Sequence, residues 1–199
     1  MAGKSEIKRA ELKEKLLEAA IIRIESQGIG SLRARDLAKD AGCALGAIYN
    51  IYKDLDELVF HAKVEIFGKM EAQLDETMTG AAKLSPLDQM VLLSEEYFRF
   101  AANNTNLWSA MFDGALTSDR DIPQWYENAL RRLMGHIGKP LRQIDPALTD
   151  TEVSLKTRAL FSAIHGIVAL SIQNRPSGVR PEEVPEAMLW ILRSVSKTL

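Results

Sequence analysis

SLRARDLAKDAGCALGAIYNIYK, from Ser31 to Lys53, holds two short helical stretches around a glycine turn. The first is expected from Leu32 to Asp40 with Ser31 as its N-cap, because a serine oxygen accepts from the free N–H groups at a helix start. Ala41-Gly42-Cys43 makes a tight turn, and a second helix follows from about Leu45 to Tyr52. Upstream, Ser5 to Gln27 reads as one longer helix. Leu12, Leu16, Ala20 and Ile24 recur every fourth residue, with Leu17 and Ile21 beside them, and Gly28 can end it. Three helices, the last two short and joined by a glycine turn, are the layout of a helix-turn-helix. Leu37, Ala38, Ala41, Ile48 and Ile51 would form its small core. The third helix then protrudes enough to enter a DNA major groove, ~12 Å wide. Gly42 keeps the turn tight, and Gly46 lets the helix start approach a DNA backbone.

The same residues carry a resemblance. Gly28-Ile29-Gly30-Ser31-Leu32-Arg33-Ala34-Arg35-Asp36-Leu37-Ala38 and Ala41-Gly42-Cys43-Ala44-Leu45-Gly46-Ala47-Ile48-Tyr49-Asn50-Ile51-Tyr52-Lys53, followed by Leu55 and Leu58, resemble the head of the tetracycline-repressor family. Arg35, Leu37, Ala38, Ala41, Gly42, Gly46, Ile48, Tyr49 and Leu58 fall in step with the family pattern over about thirty residues. The chain departs from it in four places. Ala44 replaces the capping serine, at a cost of roughly 1 kcal/mol for a lost cap. Cys43 replaces a valine, Tyr52 is the aromatic before the lysine, and Leu45 stands where a polar or basic residue is common. The resemblance implies that Tyr49 bonds a phosphate and packs on its sugar, and that Lys53 and Arg33 also meet phosphate. Arg35 would reach a guanine edge or a phosphate. Leu45, Ala47 and Asn50 would lie at the bases, with Asn50 able to pair with adenine and Leu45 or Ala47 able to touch a thymine methyl, while Gly46 would contact the DNA backbone. A core role for Tyr49 or Tyr52, and a solvated surface role for Arg33, stand beside these readings.

Working outward, nearly every other segment has helical period. A long helix begins near Asp54 with Leu55, Leu58, Val59, Ala62, Ile66, Met70 and Leu74 along one side. Pro86 opens a helix, Leu107 to Phe112 is a short apolar one, and Asp113 to Asp121 reads as a loop. A helix beginning at Ile122-Pro123 should kink or end at Pro140. Thr149 and Glu152 have capping-box spacing for the next, and the last begins between Pro181 and Pro185 and runs to the C-terminus. The fold expected is all-α, with about nine helices. A helix-turn-helix domain would span residues 1–53, and a helical ligand-binding and dimerisation domain residues 54–199.

For that body the resemblance implies a small-molecule effector and a homodimer. Trp108, Met111, Phe112, Trp125, Tyr126, Met134, Phe161 and His165 are large or soft side chains of the kind that line adaptable apolar pockets, and equally of the kind that fill cores. His165 sits in Ala163-Ile164-His165-Gly166-Ile167-Val168, which resembles a Trp-His-Gly signature of some family bodies, with Ile164 at the tryptophan position. In the last two helices, small Ala163, Gly166 and Ala169 permit close approach. Leu160, Ile167, Ala187, Met188, Ile191, Leu192 and Val195 offer apolar surface for a dimer interface. A twofold dimer would present two recognition helices to a palindromic operator, and an effector preferring misplaced heads would release it.

The 199 residues carry a formal net charge of −2, so no global excess of positive charge marks a nucleic-acid partner. The distribution is more telling: ten Lys and Arg face seven Asp and Glu through Lys53, against fifteen and twenty beyond it. A single cysteine, Cys43, excludes a disulfide within the chain and fits a reducing, cytoplasmic setting. No uninterrupted apolar run reaches the ~18 residues of a membrane span, and the mixed charges of Met1 to Lys15 do not resemble a signal peptide. There is no phosphate loop, cofactor motif, metal-ligand cluster or nucleophile with a neighbouring base; His61, His136 and His165 are scattered. The reading is a non-enzymatic, effector-responsive regulator of double-stranded operator DNA, most simply a repressor. A helical protein-interaction module without an effector is the alternative.

Overall fold

Nine α-helices and two single 3-10 turns make up the ordered elements, with no strand among the described residues. The computed structural model describes residues 3–113 and 121–196. The interior of the loop expected from Asp113 to Asp121, and the chain after residue 196, lie outside them. Two compact units divide the chain: Met1–Gly68 with Asn104–Glu127, and Lys69–Asn103 with Asn128–Leu199. The unit that holds the head therefore includes the first part of the long helix and a later short helix, besides the three helices expected from the sequence.

In the first unit, α1 (Lys4–Gln27) buries Leu16, Ala19, Ala20 and Ile24 against α2 (Ala34–Asp40), α3 (Leu45–Ile51) and α6 (Thr105–Phe112). Gly28 ends α1 at φ +80°, a conformation a side chain would strain. The serine after it corrects one expectation. Ser31 closes the 3-10 turn Ile29–Ser31, its hydroxyl donating to the Gly28 carbonyl at 2.7 Å, and α2 begins three residues later with Arg33 at its N-cap. The reason is local: the turn already satisfies the hydroxyl. The turn after α2 is a Schellman motif. Cys43 N–H donates to the Ala38 carbonyl at 2.9 Å and Gly42 N–H to that of Lys39 at 3.2 Å, with Gly42 at φ +67°. Arg23 of α1 binds Asp40 through its Nε and lies 3.9 Å from Asp36, tying α2 to α1. That hydrogen bond holds the Asp40 carboxyl below its usual range. Leu37, Ile48 and Tyr52 close the core between these helices, and α4 (Leu55–Thr79) begins directly after.

In the second unit, α5 (Pro86–Asn103), α8 (Asp150–Ile172) and α9 (Val184–Ser196) pack on one another. Met90, Leu93, Leu160, Ile164, Val168, Met188 and Leu192 form the core there. The expected capping box is present: Glu152 N–H donates to Thr149 Oγ1 at 3.3 Å, and Thr149 N–H donates to the Glu152 carboxylate at 2.8 Å. Pro140 lies inside α7 (Gln124–Ile144) and does not end it. Leu133 and Leu141 are both buried on either side of it, and that burial outweighs the ~3 kcal/mol that an interior proline costs. After α8 the chain turns through Asn174 at φ +50°, and Arg175 N–H reaches back to the Leu170 carbonyl at 2.9 Å. Gly178 lies on the end of that helix, where a Cβ would stand 2.9 Å from the Leu170 backbone. Gly178→Ala is therefore expected to cost about 1–3 kcal/mol through this overlap. A Tm unchanged within a degree would show that the turn relaxes instead.

Candidate functional site

Helix α3 has two unlike faces. Ile48 is fully buried, whereas Leu45, Gly46, Tyr49 and Asn50 point outward, with Leu45 43% and Tyr49 52% exposed. Ala47 is half-buried at the edge of that face. Arg33, Arg35 and Lys53 flank it and are exposed. Arg33 Nη1 donates to the Gly30 carbonyl at 2.9 Å and to that of Leu32 at 2.8 Å, so its guanidinium has donors left for another acceptor. Arg35 and Lys53 enter no ion pair among the described residues. The Lys53 amide instead donates to Glu57, whose own amide donates to Asp54 at 2.9 Å, which caps the start of α4. The two tyrosines separate. Tyr49 is on the outer face, and Tyr52 is a core residue whose hydroxyl donates to the Lys13 carbonyl at 3.3 Å. Burial pushes the Tyr52 phenol up to about 12. Ala44 makes no side-chain cap to α3, so the recognition helix is held at its start by packing alone.

The seven residues expected at an effector site fall in both units. Trp108 and Met111 are buried in α6, and Phe112 meets Trp108 edge-on at 5.6 Å. Trp125 stacks on His61 at 4.3 Å with 15° between the rings. Tyr126 meets Phe60 at 5.0 Å and Phe67 at 5.3 Å, and burial pushes its phenol up to about 12. All of these belong to the first unit. Burial, then the charge of Lys13, lowers the pKa of His61, which keeps its imidazole neutral at pH 7. Phe161 and His165 belong to the second unit. There His165 Nδ1 lies 2.6 Å from the Tyr97 hydroxyl, and both rings pack on Phe161. Burial lowers the His165 pKa as well. Sequence reading missed Phe60, His61, Lys63 and Tyr97. Lys63 left a signal: it interrupts the apolar row at Val59, Ile66 and Phe67 of α4, one turn from each.

Residues 90–195 match the family model described as the tetracyclin repressor-like C-terminal domain. The chain belongs to the tetracycline-repressor family. It is accordingly a transcriptional regulator, and DNA binding through a helix-turn-helix follows from that family. Solved structures share its fold at low identity. A TetR transcriptional regulator from Rhodococcus sp. RHA1 is 18% identical with a TM-score of 0.62, and the match covers 96% of each chain. Another transcriptional regulator from Rhodococcus sp. Rha1, also 18% identical, has a TM-score of 0.67 over 94% of this chain and 96% of the other. RolR, in complex with resorcinol, is 18% identical with a TM-score of 0.66, covering 96% of each chain. No curated protein matches the chain.

In this family member the residues expected at a dimer interface divide between two faces of α8 and α9. Leu160, Met188 and Leu192 are turned into the subunit's own core against α5 and are not surface. Ala163 is exposed, and Gly166, Ile167, Ile191 and Val195 are half-buried. Beside them stand three large apolar side chains that sequence reading passed over: Leu155, Leu170 and, 67% exposed, Trp190. Leu155, Gly166 and Leu170 recur at helical spacing on the side of α8 opposite Leu160, Ile164 and Val168. Helix α8 is long and apolar enough, by length and composition, to cross a membrane, but such a test also passes helices that pack on protein.

Proposed function

We propose that this regulator binds a palindromic operator as a dimer and is released by a small apolar or aromatic effector, and so acts as a repressor. The supporting observation is the outer face of α3, where Leu45, Gly46, Tyr49 and Asn50 are exposed beside Arg33, Arg35 and Lys53 while Ile48 anchors the helix beneath. Asn50 presents both a donor and an acceptor, the pattern that pairs with adenine, and Leu45 offers an apolar surface to a thymine methyl. Tyr49 and the three basic residues would contact phosphates and fix the register. The second copy supplies the other half-site about one DNA turn away, ~34 Å. The dimer surface is best read as the outward strip of α8 and α9, with Leu155, Ala163, Gly166, Leu170, Trp190 and Ile191. This much exposed apolar surface on two adjacent helices is what a self-complementary interface requires. The aromatic side chains of α6 and the start of α7, buried Trp108, half-buried Tyr126 and the exposed Phe112 and Trp125, support an aromatic effector; RolR, of similar fold, is a complex with resorcinol.

Enrichment of fragmented genomic DNA on the purified protein tests the reading. One palindromic motif is expected, and Asn50→Ala should relax a single position in each half-site by about 1–3 kcal/mol. Lys53→Ala should weaken all sequences alike and reduce the salt slope by about two, one for each subunit of the dimer. A folded protein that enriches no motif, and whose weak DNA binding ignores salt, would favour a protein-interaction module.

A further inference from the structure

The core-facing stripe of α1 does not stay apolar to its beginning. Leu16, Ala20 and Ile24 on that stripe are fully buried. Lys13 and Arg9 continue it toward the N-terminus, at helical steps of three and four residues, and both are exposed. Their place in the head is fixed by Tyr52. The Tyr52 hydroxyl donates to the Lys13 carbonyl at 3.3 Å, and the Lys13 ammonium stands 5.9 Å from the centre of the Tyr52 ring. Tyr52 is the C-cap of α3, and the next residue, Lys53, is exposed. Lys13 therefore sits at the C-terminal end of the recognition helix, and Arg9 lies one turn, ~6 Å, further along α1. Arg9 and Lys13 enter no ion pair among the described residues. The carboxylates on this side are engaged elsewhere. Glu6 accepts from the Gly3 N–H at 2.8 Å, and Glu57, whose charge acts on the Tyr52 phenol, accepts from the Lys53 amide. Glu11 and Glu14 fall on other sides of the helix. Two like charges four residues apart on a helix repel each other, so this strip is unfavourable in the free protein and suited to a polyanion.

We infer that Arg9 and Lys13 bind the sugar-phosphate backbone of operator DNA, extending the contact of Lys53 along α1. This rests on the operator-binding reading above and adds a line of contacts outside α2 and α3. Phosphate is the fitting partner because an exposed guanidinium and ammonium read charge, and because the same end of the head presents Lys53. Such contacts hold the register and carry no sequence information, so they raise the affinity for every sequence alike.

Salt titration of DNA binding by fluorescence anisotropy tests the inference in the full-length protein. The probes are a ~30-base-pair duplex carrying the enriched motif and one of equal length and arbitrary sequence. Arg9→Gln with Lys13→Gln is expected to lower the slope of log affinity against log salt by about four, one for each side chain in the dimer. At physiological salt both duplexes should lose affinity by the same factor, roughly tenfold or more, while the enriched motif stays the same. Arg9→Lys with Lys13→Arg keeps both charges and should keep the wild-type slope. Lys4→Gln with Lys15→Gln removes as much charge from the opposite side of α1 and should leave the slope unchanged. An unchanged slope in the Arg9 and Lys13 variant, or an equal fall in the Lys4 and Lys15 variant, overturns the inference. Both target residues are exposed, so the double variant should melt as the wild type does. If it melts lower, Arg9→Gln alone decides, because Arg9 makes no hydrogen bond or ion pair among the described residues. A slope lowered by about two then supports the contact, and an unchanged one removes it. The two readings fail differently. A wild-type slope that is steep but ignores Arg9 and Lys13 removes only this contact; a wild type that binds neither duplex removes the operator-binding reading with it.

Discussion

Ile48→Ala is expected to remove the DNA-binding head's ability to hold its recognition helix. Ile48 is fully buried, and it is the residue by which α3 is seated on α1 and α2. Truncation to alanine removes its outer carbons and leaves a cavity, at a cost of roughly 2–5 kcal/mol. A whole domain is stable by only about 5–15 kcal/mol, so the loss is severe wherever it falls. It falls on a seven-residue helix whose start has no side-chain cap, so little else holds it. The expected result is fast amide exchange across α2 and α3 and loss of operator binding, with the second unit's helices still protected. Leu45→Ala is the control. Leu45 is 43% exposed on the outer face, so the change should leave thermal stability within about 0.5 kcal/mol while altering operator preference. If Ile48→Ala kept native exchange protection in α3, the recognition helix would be seated by something other than this contact.

The paired substitution Leu170→Glu with Trp190→Glu is expected to produce a folded monomer with almost no specific DNA affinity. Both side chains point away from the subunit's own core, Trp190 being 67% exposed, so the monomer should tolerate glutamate at each. In a twofold interface the four new carboxylates would be brought together, where desolvation and like charge oppose association. A monomer can hold only one half-site. Specific operator binding typically lies at 10⁻⁸–10⁻¹¹ M and non-specific binding near 10⁻⁴–10⁻⁶ M, so a loss of roughly a thousandfold is expected. Sedimentation measures the mass and fluorescence anisotropy measures the affinity. A variant that remains dimeric would move the interface off this strip, and a monomer with unchanged operator affinity would remove the need for a dimer.

The head was legible because its determinants are local. A helix stop at Gly28, a Schellman turn at Gly42 and the alternation of Leu37 and Ile48 with exposed neighbours all act within a few residues of chain, as does the capping box at Thr149 in the second unit. Backbone conformation and helical period follow from such short-range chemistry, so the sequence by itself determined nine helices and a glycine turn between two short ones. Ser31 and Pro140 mark where even local signals lose. The serine was satisfied by a turn one step earlier, and the proline was carried through by buried leucines on both sides.

Which apolar face meets which partner was decided only by the tertiary structure. Helices α8 and α9 are apolar on more than one side, and period alone cannot say that Leu160, Met188 and Leu192 turn inward while Leu155, Leu170 and Trp190 turn out. Tyr97 and His165, 68 residues apart, share a hydrogen bond that no spacing rule foretells. Lys63 only interrupts an apolar row in the sequence, and it is a buried lysine because the end of α6 meets that face of α4. The reason is the same in each case: a helix specifies its own stripes through bonds four residues apart, but burial is a property of whatever distant segment comes to cover them.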